Sequence, residues 1–189
     1  MGSAVDTIVG QRRLLTHPFY VQWQQGALSG GSLRDYAAQY YAVETSLVSL
    51  ARGDAWAGEQ EHPRLWLRFA EALGLAADDV TGTEPRPATR ALVATNGRLA
   101  ATEAGRVGAL YAYESQAAEI ASTKAASLVQ HYGVSSGLEF FEAHAALEDA
   151  HAAAGREAMA ALDGQAVGDA ARQALSAHWA FLDQALAVA

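Results

Sequence analysis

The sequence predicts an all-α protein, six to eight helices packed in a compact antiparallel array. Three observations carry that expectation. Hydrophobic residues make up 51% of the chain, with Ala prominent among them, and Ala is the strongest helix former. Only four prolines occur in 189 residues. No segment alternates apolar and polar residues with the period of two that marks a half-buried strand. The length suits a single domain with a real core.

The elements follow in chain order. Val5 to Leu15 is amphipathic and runs to Thr16-His17-Pro18, where Pro18 opens a short helix reaching Ala27. Ser29-Gly30-Gly31-Ser32 breaks the chain, and Ser32 is expected to cap a helix from about Leu33 to Arg52. The stretch Arg52 to Glu61, RGDAWAGEQE, is short and irregular. A helix from Pro63 to Leu73 ends at Gly74. AADDVTGTEPRPATR, with two prolines, reads as a loop or turn-rich connection. Helical periodicity then runs from Thr89 to Tyr132, with an interruption expected near Asn96-Gly97. Gly133 to Gly137 is a turn, Glu139 to Ala154 is helical with no Gly or Pro, and a last helix spans Gly168 to Ala187.

Composition excludes several function classes. A formal net charge of −8 argues against nucleic-acid and anionic-membrane partners. No apolar run approaches the ~20 residues that span a bilayer, and MGSAVDTIVGQRRLL lacks the layout of a signal peptide. A cytoplasmic location is the expectation. The chain has no cysteine, which removes disulfides, thiolate nucleophiles, iron–sulfur clusters and Cys-based zinc sites. Any metal must be held by His and carboxylates.

His144, Glu148 and His151 are the most informative residues. At about 100° per residue, offsets of four and seven place them within roughly a 60° arc over about 10 Å of helix. Two imidazoles and a carboxylate suit iron, manganese or zinc; the plainer alternative is a surface His/Glu contact. Glu114 has Leu110, Ala117, Ala118 and Ala121 on its own face, so it looks inward. That is costly unless it coordinates a metal or pairs with Lys or Arg. His62, opening HPRLWLRFAEALGL, is either a further ligand or a capping residue. Helical sites for two metals take about six protein ligands, and His62, Glu114, His144, Glu148 and His151 make five.

Lys124 lies about 80° round the helix from Glu114, at the rim of the same cavity or in solvent. Tyr20, Tyr36, Tyr40, Tyr41, Tyr111 and Tyr113 bring hydroxyls that need partners and, beside a redox metal, allow one-electron chemistry. Gly133-Val134-Ser135-Ser136-Gly137 fits G-x-S-x-G, but it joins two helices and lacks the strand–turn–helix context of a hydrolase elbow.

HPFYVQWQQGAL with LRDYAAQYY, HPRLWLRFAEALGL, LYAYESQAAEIASTK and FFEAHAALEDAH together resemble the haem-oxygenase-like diiron oxidases. That helical superfamily also contains the TenA thiaminases and the PqqC oxidase. The nearest look is to its chlamydial and other bacterial branch described as self-sacrificing p-aminobenzoate synthases. The resemblance implies a TenA/PqqC-like helical bundle and an O₂-activating oxidase or oxygenase with two metal ions, Fe/Fe or Fe/Mn, and O₂ as co-substrate. It carries the ligands onto His62, Glu114, His144, Glu148 and His151, Glu148 standing where chlamydial members have Asp. The tyrosine consumed as carbon skeleton falls on Tyr20, a second redox-relevant tyrosine on Tyr113, and the lysine that gives up nitrogen on Lys124. Homodimers are common in the superfamily, so a dimer is expected.

One departure stands out. Family members have a further helix between the Tyr40-Tyr41 helix and His62, which supplies a carboxylate seven residues before the His. Here that place is Ala55, and roughly twenty residues are missing; Asp54, Glu59 and Glu61 are possible substitutes without the expected spacing. Either the helix is shortened and a ligand lost, or residues belonging there are left out of this sequence, and the second is the expectation. Three other functions stay open: a diiron oxygenase acting on an external amino acid or fatty acid, its pocket differing mainly near Tyr36, Tyr40 and Glu44; a TenA-like hydrolase (which the absence of cysteine disfavours); and a metal-free helical binding module.

Overall fold

A computed structural model describes residues 4–188 apart from 53 and 147, and the side chains outside 53–57 and 147–152. Its described secondary structure is all helical. In order come α1 (Ala4–Gln11), α2 (Pro18–Gln24), α3 (Gly30–Leu47), α4 (His62–Ala72), α5 (Ala77–Thr81) and α6 (Pro87–Leu99). They are followed by α7 (Glu103–Tyr132), α8 (Glu139–Ala146), α9 (Glu148–Met159) and α10 (Gly164–Ala187). Two 3₁₀ segments, Leu14–Thr16 and Asp54–Glu61, link α1 to α2 and lead into α4. Among the described residues α8 and α9 are separated only by residue 147, and the short α5 forms where the sequence reads as loop.

Local chemistry explains the boundaries. His17 caps α2, its Nδ1 accepting the Phe19 N–H at 3.1 Å, with Pro18 in the first turn. Ser29, not Ser32, caps α3: its Oγ accepts the Ser32 N–H at 3.0 Å. The expected break at Asn96-Gly97 does not occur. α6 runs through both residues, and the chain turns after Leu99, where Thr102 caps α7. Asn96 keeps its helix because its amide finds partners outside it, donating to Ser46 Oγ at 2.9 Å and accepting from the Tyr113 hydroxyl. α7 ends at Gly133, whose φ of 69° is the left-handed conformation glycine adopts without penalty.

α7 is the central post, about 45 Å long at 1.5 Å per residue. It packs on α10, α8 and α9. At Gly108 it meets α10 so closely that a Cβ would come within 2.4 Å of the Val167 carbonyl oxygen. The core beside it is aromatic: Phe19, Tyr20, Trp23, Tyr36, Trp66, Phe69, Phe141 and Phe181 are almost wholly buried. Polar edges within it are satisfied, the Trp66 indole N–H donating to the Ala37 carbonyl at 2.8 Å. Among the described residues, no helix is long and apolar enough to cross a membrane.

Candidate metal centre

Four helices (α3, α4, α7 and α8) and the 3₁₀ turn deliver polar side chains into this apolar interior. His62 opens α4 and is 2% exposed, so it is neither a surface nor a purely capping residue. Its Nδ1 lies 2.9 Å from Oε2 of Glu59 and 3.7 Å from Oε1 of Glu44. His144, partly buried on α8, stacks obliquely on it with ring centroids 4.2 Å apart. The His144 Nδ1 lies 2.8 Å from the Phe140 carbonyl; donating there fixes the tautomer and leaves Nε2 as the free ligand atom. Donor atoms of Glu59, His62 and His144 all fall within 4.8 Å of one another, a group able to hold a metal ion.

Glu114 on α7 is buried and lines one cavity with Glu44, Glu59 and His144. Burial, then the charges of Glu59 and Glu114, push the Glu44 carboxyl well above the ordinary range, while Lys124 opposes that shift. Burial lowers the His144 pKa, the Glu114 carboxylate pulling it back up. Carboxyl groups and imidazoles gathered out of water are electrostatically frustrated until a cation joins them. The donor set therefore fits a divalent metal. Glu148 and His151 follow on α9, but their side chains lie outside the described residues, as do those of Ala55 and Asp54. Of the two other candidates before His62, Glu59 turns inward, whereas Glu61 faces solvent and pairs with Arg64 at 2.5 Å.

The same cavity receives Tyr20, Tyr40, Tyr113, Lys124 and His178. Lys124 is buried rather than solvated. Its Nζ donates to the hydroxyls of Tyr20 at 3.0 Å and Tyr36 at 2.8 Å, which lie 2.8 Å from each other. The nitrogen also sits 4.2 Å from the ring centre of Tyr20, 4.8 Å from that of Tyr36 and 5.1 Å from that of Trp23. Burial drives the Lys124 pKa well below the usual amine value, only partly offset by Glu44. It raises those of Tyr20 and Tyr36. Tyr113, whose phenol is also pushed up by burial, donates to Asn96 Oδ1 at 2.9 Å. The space open to water between these groups is about 50 Å³, room for a few water molecules.

The structure thus brings Tyr20, Tyr113, Glu114, Lys124 and His144 together around one cavity, with His62 behind it against Glu59 and His144. The sequence points to Tyr36, Tyr40 and Glu44 only as the part of the pocket that would differ in an enzyme with an external substrate, offers Glu59 only as a substitute ligand, and does not single out His178.

Comparison with known proteins identifies the family and the fold. A family model described as iron-containing redox enzyme matches residues 12–185. The 4-aminobenzoate synthase of Nitrosomonas europaea is 34% identical over 216 aligned positions, covering 95% of this chain and 88% of that protein. The 4-aminobenzoate synthase of Chlamydia muridarum is 30% identical over 208, covering 96% and 88%. Both aligned spans exceed the 189 residues of this chain, so these relatives carry internal residues it lacks. A TenA homologue from Pseudomonas syringae pv. tomato superposes with a TM-score of 0.80 at 16% identity, over 98% of this chain and 93% of that one. A Shewanella denitrificans protein described as having a heme oxygenase-like fold gives 0.76 at 20% identity, over 97% and 89%. The fold is the haem-oxygenase-like one.

Proposed function

The chain belongs to the iron-containing redox enzyme family, and from that premise we propose that it is an O₂-activating oxidase with a dinuclear metal site, which makes an aminobenzoate from its own Tyr20 and Lys124. The observation that carries this reading is the 3.0 Å approach of the Lys124 amine to the Tyr20 hydroxyl, inside the cavity lined by Glu44, Glu59, Glu114 and His144. The relatives named 4-aminobenzoate synthase support it.

Glu59, His62, Glu114 and His144 would hold the metals, with Glu148 and His151 completing the set. Iron, alone or with manganese, supplies O₂ binding and one-electron oxidation there. The chain's own groups do the rest. Burial keeps the Tyr20 phenol protonated, so it must give up its proton along with an electron rather than ionise first. Lys124, pushed toward the neutral amine by the same burial, carries the lone pair a nitrogen donor needs. Glu44, its carboxyl pushed toward the protonated form by burial and then by its neighbours' charge, is placed to supply a proton.

Size favours an internal substrate. About 50 Å³ of open space suits dioxygen or water, whereas pockets for small-molecule substrates are usually roughly 300 Å³ or more, which supports an internal substrate. The test uses protein carrying ¹³C-tyrosine and ¹⁵N-lysine, loaded anaerobically with Fe(II) and Mn(II) and exposed to O₂. A released aromatic amine bearing both labels, at no more than one per chain, is expected. An unlabelled amine, or none, overturns the proposal.

A further inference from the structure

His178 is a second oddity of the interior. It sits on α10, 2% exposed, and neither ring nitrogen has a hydrogen-bond partner among the described residues. Its ring lines the cavity. The rings of Tyr113, Phe181 and Tyr40 lie 5.6, 5.9 and 6.1 Å away, centroid to centroid. Burial and, next, the charge of Lys124 hold its pKa down at about 3, so the ring is neutral at physiological pH. A buried imidazole with both nitrogens unsatisfied by protein is destabilising relative to a Leu or Phe of similar volume.

A neutral imidazole offers one N–H donor and one lone pair. A carboxylate or carbonyl could serve only the donor, and a metal ion only the lone pair. O–H groups both donate and accept, so they are the class that can serve either nitrogen. The cavity has room for a few waters, and a water in such a site is normally held by two to four polar partners.

We propose that His178 is a positioning residue that anchors an O–H group, a water molecule in the resting protein, against the Tyr40–Tyr113 wall of the cavity. A neutral imidazole so engaged accepts a proton at one nitrogen while releasing one from the other, which places a relay beside the Tyr20–Lys124 pair. The anchoring stands independently of the aminobenzoate reading; only the use of the relay rests on it.

The test begins with metal-free protein labelled with ¹⁵N-histidine, the His178 signals being identified by their loss in His178→Gln. A protected ring N–H showing cross-relaxation with water is expected, and a ring N–H with no such cross-relaxation overturns the anchoring. After Fe(II) and O₂, product formation in His178→Leu should slow by about tenfold or more, and His178→Gln, which keeps a donor and an acceptor, should recover to within about threefold of the native rate. A Leu variant as fast as the native protein overturns the relay. Because the first measurement involves neither metal nor product, its failure is distinguishable from failure of the labelled-tyrosine experiment. It also decides the matter if the Leu variant does not fold.

Discussion

Glu59 presents Oε2 2.9 Å from Nδ1 of His62, three residues along the chain, with both side chains almost wholly buried. The 3₁₀ turn Asp54–Glu61 makes that possible. Its tighter winding of three residues per turn stacks Glu59 beneath His62, a geometry for which a carboxylate one residue earlier or later would be misplaced.

Glu59→Ala should therefore weaken Fe(II) or Mn(II) binding by about tenfold or more, the effect typical of losing a group that holds or orients metal ligands. Glu61→Ala, which alters an exposed partner of Arg64, should bind as the native protein does. Anaerobic competition titration with a chromogenic chelator reads both. Equal affinities for the two variants would remove Glu59 from the metal site.

Replacing Lys124 separates chemistry from stability. Lys124→Met keeps the length of the stem and removes a buried ionisable group, while Tyr20 and Tyr36 keep their mutual hydrogen bond. Urea unfolding should show a gain of about 1 kcal/mol or more, and aromatic amine production should fall to background. A variant both destabilised and still productive would contradict the role given to Lys124.

The pH dependence of stability has a definite sign. The folded pKa of His178, about 3, lies below the ordinary value near 6.5, so the unfolded chain binds the extra proton. The titration of His178 then costs nothing above about pH 6.5, and stability declines as pH falls from there toward 3. Denaturation of metal-free protein at pH 7.5 and 5.5 should show a smaller drop for His178→Leu than for the native chain. An identical drop would place the titration elsewhere.

Gly108 marks the closest approach of α7 to α10. Gly108→Ala would set a Cβ 2.4 Å from the Val167 carbonyl oxygen and 3.0 Å from the Ala170 Cβ, and backbone on both sides must yield. Overpacking of this kind costs about 1–3 kcal/mol, a fall in Tm of several degrees by calorimetry. Gly97→Ala, with nothing within 4 Å, should instead be neutral or stabilising.

Much of this was legible in the sequence. Helical periodicity and terminal signals such as Pro18, Gly74 and Gly133 located the elements, and an apolar face around Glu114 gave away its burial. Position on their helices made His62 a ligand or a cap and put Lys124 at a cavity rim or in solvent, while the role of Tyr20 entered through family resemblance, because its neighbours in space come from α3 and α7. Glu59 was obscured by an irregular stretch in which no period places side chains. His178 did leave a trace that went unread: it follows Ala171, Ala174 and Leu175 and precedes Phe181 and Leu182 on one apolar stripe of α10, all of them buried. An ionisable residue in such a stripe points to a site by itself.

Tyr20 is 1% exposed and wedged against Phe19, Tyr36 and Lys124. If its ring is what leaves as product, the protein after its one reaction is a large-to-small core mutant of itself. Loss of a buried aromatic ring typically costs 3–5 kcal/mol, about half the stability of an ordinary domain. Such a husk would open more often than the fresh chain and fall first to proteases, so a cell would distinguish expended molecules from unused ones by their folding alone.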